Sequence, residues 1–122
     1  MKSPYKGKTG IRRILNAFNY SIAGTVAAFK HEDAFRQEAT LILILIPLAL
    51  YSEVLVFEKV LMISSLLLII IIELINSAIE ATVDRISIKH HDLAKRAKDI
   101  GSAAVFFSFI NAFVIWLLIL TK

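Results

Sequence analysis

Four stretches of patterned hydrophobicity account for most of the chain. In the first, Ile11, Ile14, Leu15, Phe18, Ile22, Val26 and Phe29 recur at helical spacing, while Arg12, Arg13, Asn16, Asn19 and Ser21 fall elsewhere. This is the pattern of an amphipathic helix over about 10–30. It carries too many polar residues to span a bilayer, so it is expected to lie flat in the headgroup layer. Gly24 interrupts it and predicts a break or a close-packing point. The next three stretches are continuous apolar runs. Ala39 to Tyr51 is short against the roughly 20 residues a span needs, so the first span is placed at about 35–51. Pro47 lies inside it, where neighbouring helices tolerate a kink. Val60 to Ile72 is thirteen residues without a charge and continues into a polar stripe, giving a second span over about 57–86. Ala103 to Leu120 is eighteen uncharged residues and anchors a third span over about 98–120. The fold class expected is an all-α integral membrane protein, one domain over 1–122, with three transmembrane helices behind a surface helix.

The polar stripe departs from this apolar background. Read at about 100° per residue, Glu73, Asn76, Ser77, Glu80 and Asp84 share one side of an otherwise aliphatic helix. Carboxylates on a spanning helix face protein or a wet cavity, and at that depth they are functional candidates. A second polar cluster precedes the first span: six of the nine residues from Lys30 to Glu38 are ionisable. Glu32 in that cluster is a candidate to pair with Glu80 around a divalent cation, and oxygen-only ligation suits Mg²⁺. His90 and His91 are adjacent rather than at helical ligand spacing, so they are read as solvated or nucleotide-touching residues. Lys89 to Asp99 is expected to be an inner loop. Its Lys95, Arg96 and Lys98 suit a phosphate-bearing substrate, although topology alone gives the same sign of charge. Ser52 to Lys59 is expected to be a short outer turn. The small residues Gly101, Ser102, Ala103 and Ala104 open the third span and permit close helix approach.

Composition narrows the classes. The chain is 57% hydrophobic with mean hydropathy +0.71, too apolar for an ordinary soluble domain of 122 residues. The N-terminal residues have charge but no apolar core or cleavage site, so no signal peptide is expected. Basic residues crowd the segments before the first span and between the second and third, which predicts a cytoplasmic N-terminus and an outer C-terminus. The absence of cysteine removes disulfides and thiolate metal sites. With four glycines there is no GxxxxGK[ST] loop and no GxGxxG loop, so any nucleotide is held by Mg²⁺, lysine and helix-borne side chains.

Three blocks in order then carry a resemblance: Glu32-Asp33-Ala34-Phe35-Arg36-Gln37-Glu38, Glu73 through Asn76 and Glu80 to Asp84-Arg85, and Ala97-Lys98-Asp99-Ile100-Gly101-Ser102. Together they resemble the prokaryotic diacylglycerol kinase family over about Gly10 to Trp116. The resemblance implies a homotrimeric membrane kinase that transfers the γ-phosphate of MgATP to the hydroxyl of diacylglycerol, giving phosphatidic acid. It implies Glu73 as general base, with Asn76 and Asp84 supporting the site and Glu32 and Glu80 holding metal. Nucleotide contacts are implied at Arg13, Tyr20, Lys89, His90, His91, Lys98 and Asp99. Lipid contacts are implied at Arg13, Ala17, Phe18 and Ile22, along Ala34, Phe35, Arg36, Gln37 and Glu38, and at Ser102 and Trp116. Asn16 stands where family members often carry a basic residue. Two other readings remain at this point: the same chemistry on undecaprenol, whose kinases share the Glu73 to Glu80 pattern, and a small oligomeric proton or cation transporter. The transporter gives no role to the cluster at Glu32 or to Lys98.

Overall fold

A computed structural model describes residues 10–86 and 91–122. Among these residues the regular structure is entirely helical: α1 (Ile11–His31), α2 (Asp33–Tyr51), α3 (Val56–Ile86) and α4 (Asp92–Leu120). Three of the four, α2, α3 and α4, are long and apolar enough to cross a membrane. α2, with 19 residues, reaches about 28 Å at 1.5 Å per residue, close to the thickness of a hydrocarbon core. α3 and α4, with 31 and 29 residues, reach about 46 and 43 Å and overrun that core by several turns. The excess is polar. It consists of the Glu80–Arg85 end of α3 and the Asp92–Asp99 start of α4.

α3 is the centre of the fold and packs against each of the other helices, most extensively against α4. Ile42, Leu66, Ile69 and Ala112 form one buried cluster, with Phe109 and Trp116 against it. Ala49, Met62 and Ile119 form a second, nearer the α2–α3 turn. Small residues at Ala49 and Ala112 bring the helix backbones together where larger side chains would hold them apart. The hydroxyls of Thr40, Ser65 and Ser108 each donate to a carbonyl in the preceding turn, which satisfies them inside apolar helices.

Two joints position the rest. Glu32 alone separates α1 from α2, in an extended conformation with φ −119°. Its N–H still donates to the Ala28 carbonyl at 2.9 Å. The Arg36 guanidinium reaches back to the carbonyls of Phe29 and Lys30 at 3.1 and 3.2 Å and pairs with Asp33. A cation on the last carbonyls of α1 also complements the negative end of that helix. At the other end of the bundle, Glu58 in the first turn of α3 accepts the Leu55 N–H at 3.0 Å and pairs with Lys122. Lys59 donates to the Leu50 carbonyl at 2.7 Å and closes the end of α2.

Three boundary expectations change. The helix that carries the third apolar stretch already begins at Asp92, so Lys95, Arg96, Lys98 and Asp99 sit on the first turns of α4 rather than in a loop. The reason is a capping signal: the His91 side chain accepts the Leu93 N–H at 3.1 Å and starts the helix early. The turn expected over Ser52 to Lys59 shortens, because α3 already begins at Val56. Gly24 neither breaks nor packs α1; the helix runs through it, and a Cβ there meets nothing within 4 Å.

Candidate functional site

The stripe on α3 is divided among three neighbours. Glu73 is buried, at 6% exposure. Its carboxyl meets that of Glu38 from the second turn of α2. One Glu38 oxygen is buried without a hydrogen-bond partner. An unpaired buried carboxyl oxygen is costly, so this corner is built to receive a donor. Glu38 also stands at the end of an apolar cavity of about 260 Å³, lined by Leu41, Leu45, Phe109, Phe113 and Trp116. The acidic corner therefore opens on a slot with the chemistry of an acyl chain.

One turn along α3 from Glu73, the stripe turns to α4. The Asn76 amide NH₂ donates to Glu80 Oε1 at 3.4 Å, while Asn76 Oδ1 is buried with no partner. Beyond it, Asp84 pairs with Lys98 of α4 at 2.6 Å. Lys98 also lies within electrostatic reach of Glu80. Lys95 and Asp99 pair at 2.7 Å one turn apart on α4, an exposed i,i+4 arrangement. The basic group expected to meet phosphate is therefore held at the edge of the carboxylate stripe by Asp84. A surface ion pair of this kind is weak enough to exchange partners when a stronger anion arrives.

The third neighbour is α1. Between α1 and α3 lies a cavity of about 580 Å³, lined by Ser21, Thr25, His31 and Glu32 on one side and Ser77 and Ala81 on the other. Glu32 thus faces the Ser77 side of the stripe, while Glu80 is engaged with Asn76. Among the described residues no three acidic or histidine side chains converge as a ready-made metal cage. The donors present fit Mg²⁺ all the same. They are carboxylate and amide oxygens, and this ion binds through one or two carboxylates with water and substrate phosphates completing the shell.

The remaining expected residues are dispersed. Arg13, Ala17, Phe18, Tyr20 and Ile22 are exposed on α1, and Ala34 and Gln37 are exposed at the start of α2. Phe35, between them, is 2% exposed and packs inward. Ser102 is exposed on α4 beside the buried Gly101. The Trp116 indole N–H donates to Met62 O and Ser65 Oγ, both at 3.2 Å. It stands fifteen residues, about 22 Å along α4, from Gly101, and meets the acidic corner only through the apolar slot. His91 caps α4; Lys89 and His90 lie outside the described residues. Two contacts escaped the sequence reading, Glu38 against Glu73 and Asn76 against Gly101. Only the small residues opening the third span hinted at the second.

Comparison with known proteins gives the same reading of the chain. It is 54% identical over 118 residues to a diacylglycerol kinase from Pseudomonas aeruginosa, covering 97% of this chain and 96% of that one. A diacylglycerol kinase from Escherichia coli is 46% identical over 112 residues, 92% of each chain. One from Haemophilus influenzae is 46% identical over 108 residues, 88% of this chain and 92% of that one. A family model for prokaryotic diacylglycerol kinase matches residues 19–120. With matches over nearly its whole length, the chain belongs to the prokaryotic diacylglycerol kinase family.

Proposed function

We propose that this protein is an ATP-dependent lipid kinase of the cytoplasmic membrane that transfers the γ-phosphate of ATP to the hydroxyl of diacylglycerol, yielding phosphatidic acid and ADP. The observation that carries the reading is the buried Glu73 carboxyl against Glu38, which itself lines the end of an apolar slot. A basic residue of α4 lies further along the same stripe. A lipid alcohol needs the first arrangement and a nucleotide needs the second.

The residues divide the work as follows. Acyl chains enter between the helices from the bilayer side, and the apolar slot ending at Glu38 takes part of one chain. Glu73 accepts the hydroxyl proton as the lipid oxygen attacks Pγ and the bond from Pγ to the bridging oxygen breaks, releasing ADP. Glu80, held by the Asn76 amide, and Glu32, on the α1 cavity, would hold Mg²⁺. That ion would supply charge neutralisation at the phosphates. Lys98 leaves Asp84 for a phosphate oxygen, with Asp99, Arg13, Tyr20 and the Lys89 to His91 segment completing the nucleotide contacts. One chain leaves the stripe partly open, since Asn76 and Glu80 are only half-buried. A homotrimer supplies the missing wall from a neighbouring subunit. The N-terminus and the polar excess of α3 and α4 face the cytoplasm, where ATP is found, and α1 lies along the membrane surface.

The test is transfer of label from γ-phosphate-labelled ATP by the purified protein in detergent micelles, with diacylglycerol and undecaprenol offered side by side. Label in phosphatidic acid, dependent on Mg²⁺, is the expected outcome. Label in undecaprenyl phosphate alone reassigns the acceptor, and no labelled lipid at all overturns the kinase reading.

A further inference from the structure

We propose that Gly101 is a positioning residue for this site. By carrying no side chain, it lets the Asn76 carboxamide seat its oxygen against α4 and direct its NH₂ to Glu80. The proposal rests on the kinase reading given above. Gly101 lies inside α4 and is buried. It has no left-handed backbone angle; among the described residues only Gly10 does. Conformational freedom is therefore not what calls for glycine here. Space is. A Cβ built on Gly101 stands far inside van der Waals contact with Asn76 Oδ1 and only 3.3 Å from Asn76 Cγ.

The contact decides which way the amide faces. Asn76 Oδ1 is buried and accepts no conventional hydrogen bond. It lies against Gly101, in the direction a Cβ would take; the Cα hydrogen there points toward it, a weak but favourable contact for a carbonyl oxygen. With the oxygen lodged there, Nδ2 is left to donate to Glu80 Oε1. The reversed amide would set its oxygen against a carboxylate oxygen, acceptor against acceptor. A side chain at position 101 evicts the oxygen and turns or withdraws the amide, and Glu80 loses its donor. Partners that orient a metal-holding carboxylate in this way control metal affinity.

Helix propensity gives the opposite sign and so separates the cases. Alanine is a better helix former than glycine, so Gly101→Ala stabilises the protein unless the contact with Asn76 dominates. Gly24→Ala, on α1 with open space around it, is the propensity control for thermal stability. The experiment is a cycle of Gly101→Ala, Asn76→Ala and the double variant in detergent micelles. It is read by thermal midpoint, by Mn²⁺ binding in the presence of a non-hydrolysable ATP analogue (from the EPR signal of free Mn²⁺), and by the Mg²⁺ concentration for half-maximal turnover. Gly101→Ala is expected to lower the midpoint and to weaken metal binding about tenfold or more. In the Asn76→Ala background, where the amide is gone, the same change is expected to cost nothing in either. Equal losses in both backgrounds, or none in either, overturn the proposal. A coupled midpoint with unchanged metal binding also overturns it, since the contact is then only structural. Failure of the kinase reading looks different: wild-type protein transfers no phosphate while the midpoints still couple.

Discussion

Glu73 is the residue on which most depends. It combines burial in an apolar bundle with a neighbouring carboxyl, Glu38, that lines an apolar cavity. Glu73→Gln keeps the shape and removes the proton acceptor, so kcat is expected to fall by about 10²–10⁴-fold. Nucleotide affinity, measured by titration with a non-hydrolysable analogue, is expected to stay within error. A variant that retains most of its turnover puts the base elsewhere. Lys98 and Glu80 divide the other charges. Lys98→Met removes the cation on the Asp84 side of the stripe and is expected to raise KM for ATP much more than KM for lipid. Glu80→Ala leaves the Asn76 amide without its acceptor and is expected to raise the Mg²⁺ requirement sharply. Steady-state titration of each ligand in turn checks both, and equal changes for lipid and nucleotide argue against these assignments.

At the scale of elements, the two ends of the bundle serve different purposes. The end at Glu58 is closed by helix caps. Glu58 reaches back to the Leu55 N–H, the half of a capping box that a first-turn glutamate supplies, and Lys122 ties the end of α4 to it. The end at Asp84 carries an exposed ion pair to Lys98 and opens beside a large cavity. Stability and chemistry are thus segregated along α3. Glu58→Ala is expected to lower the thermal midpoint in micelles by a few degrees while leaving kcat and the Mg²⁺ requirement unchanged. Loss of activity without loss of stability contradicts that separation. Arg36 plays the corresponding part at the α1–α2 joint, because its guanidinium caps α1 with two hydrogen bonds.

At the scale of the whole molecule, the proposed membrane insertion and trimer would complete what one chain leaves open. Large apolar side chains are exposed along every helix, among them Leu43, Leu48, Phe107 and Leu118. In a bilayer these meet lipid or another subunit rather than water. The chain lacks cysteine, so single cysteines report topology without background. Introduced at Glu53 or Lys122, they are expected to react with a membrane-impermeant maleimide in intact cells. Introduced at Arg96, a cysteine is expected to react only after permeabilisation. The reverse pattern inverts the proposed orientation and removes ATP from the stripe.

The sequence by itself determined the helices and the polar stripe along α3. Long uncharged runs have nowhere to be but lipid or a core, and polar side chains three, four or seven residues apart on such a helix have to share a side. Those constraints are local, so they are legible in order along the chain. The three acidic, amide and basic blocks carried the family likeness for the same reason. Tertiary structure decided the partners. The Glu38 carboxyl meets Glu73 from a helix 35 positions away in sequence, and the Asn76 amide is aimed by a missing side chain on another helix. Periodicity says which face a residue is on but not what stands across from it. The early start of α4 was hidden too, because charge made Asp92 to Asp99 look like a loop. A histidine cap and two i,i+4 partners, Lys95 and Asp99, hold those residues as helix.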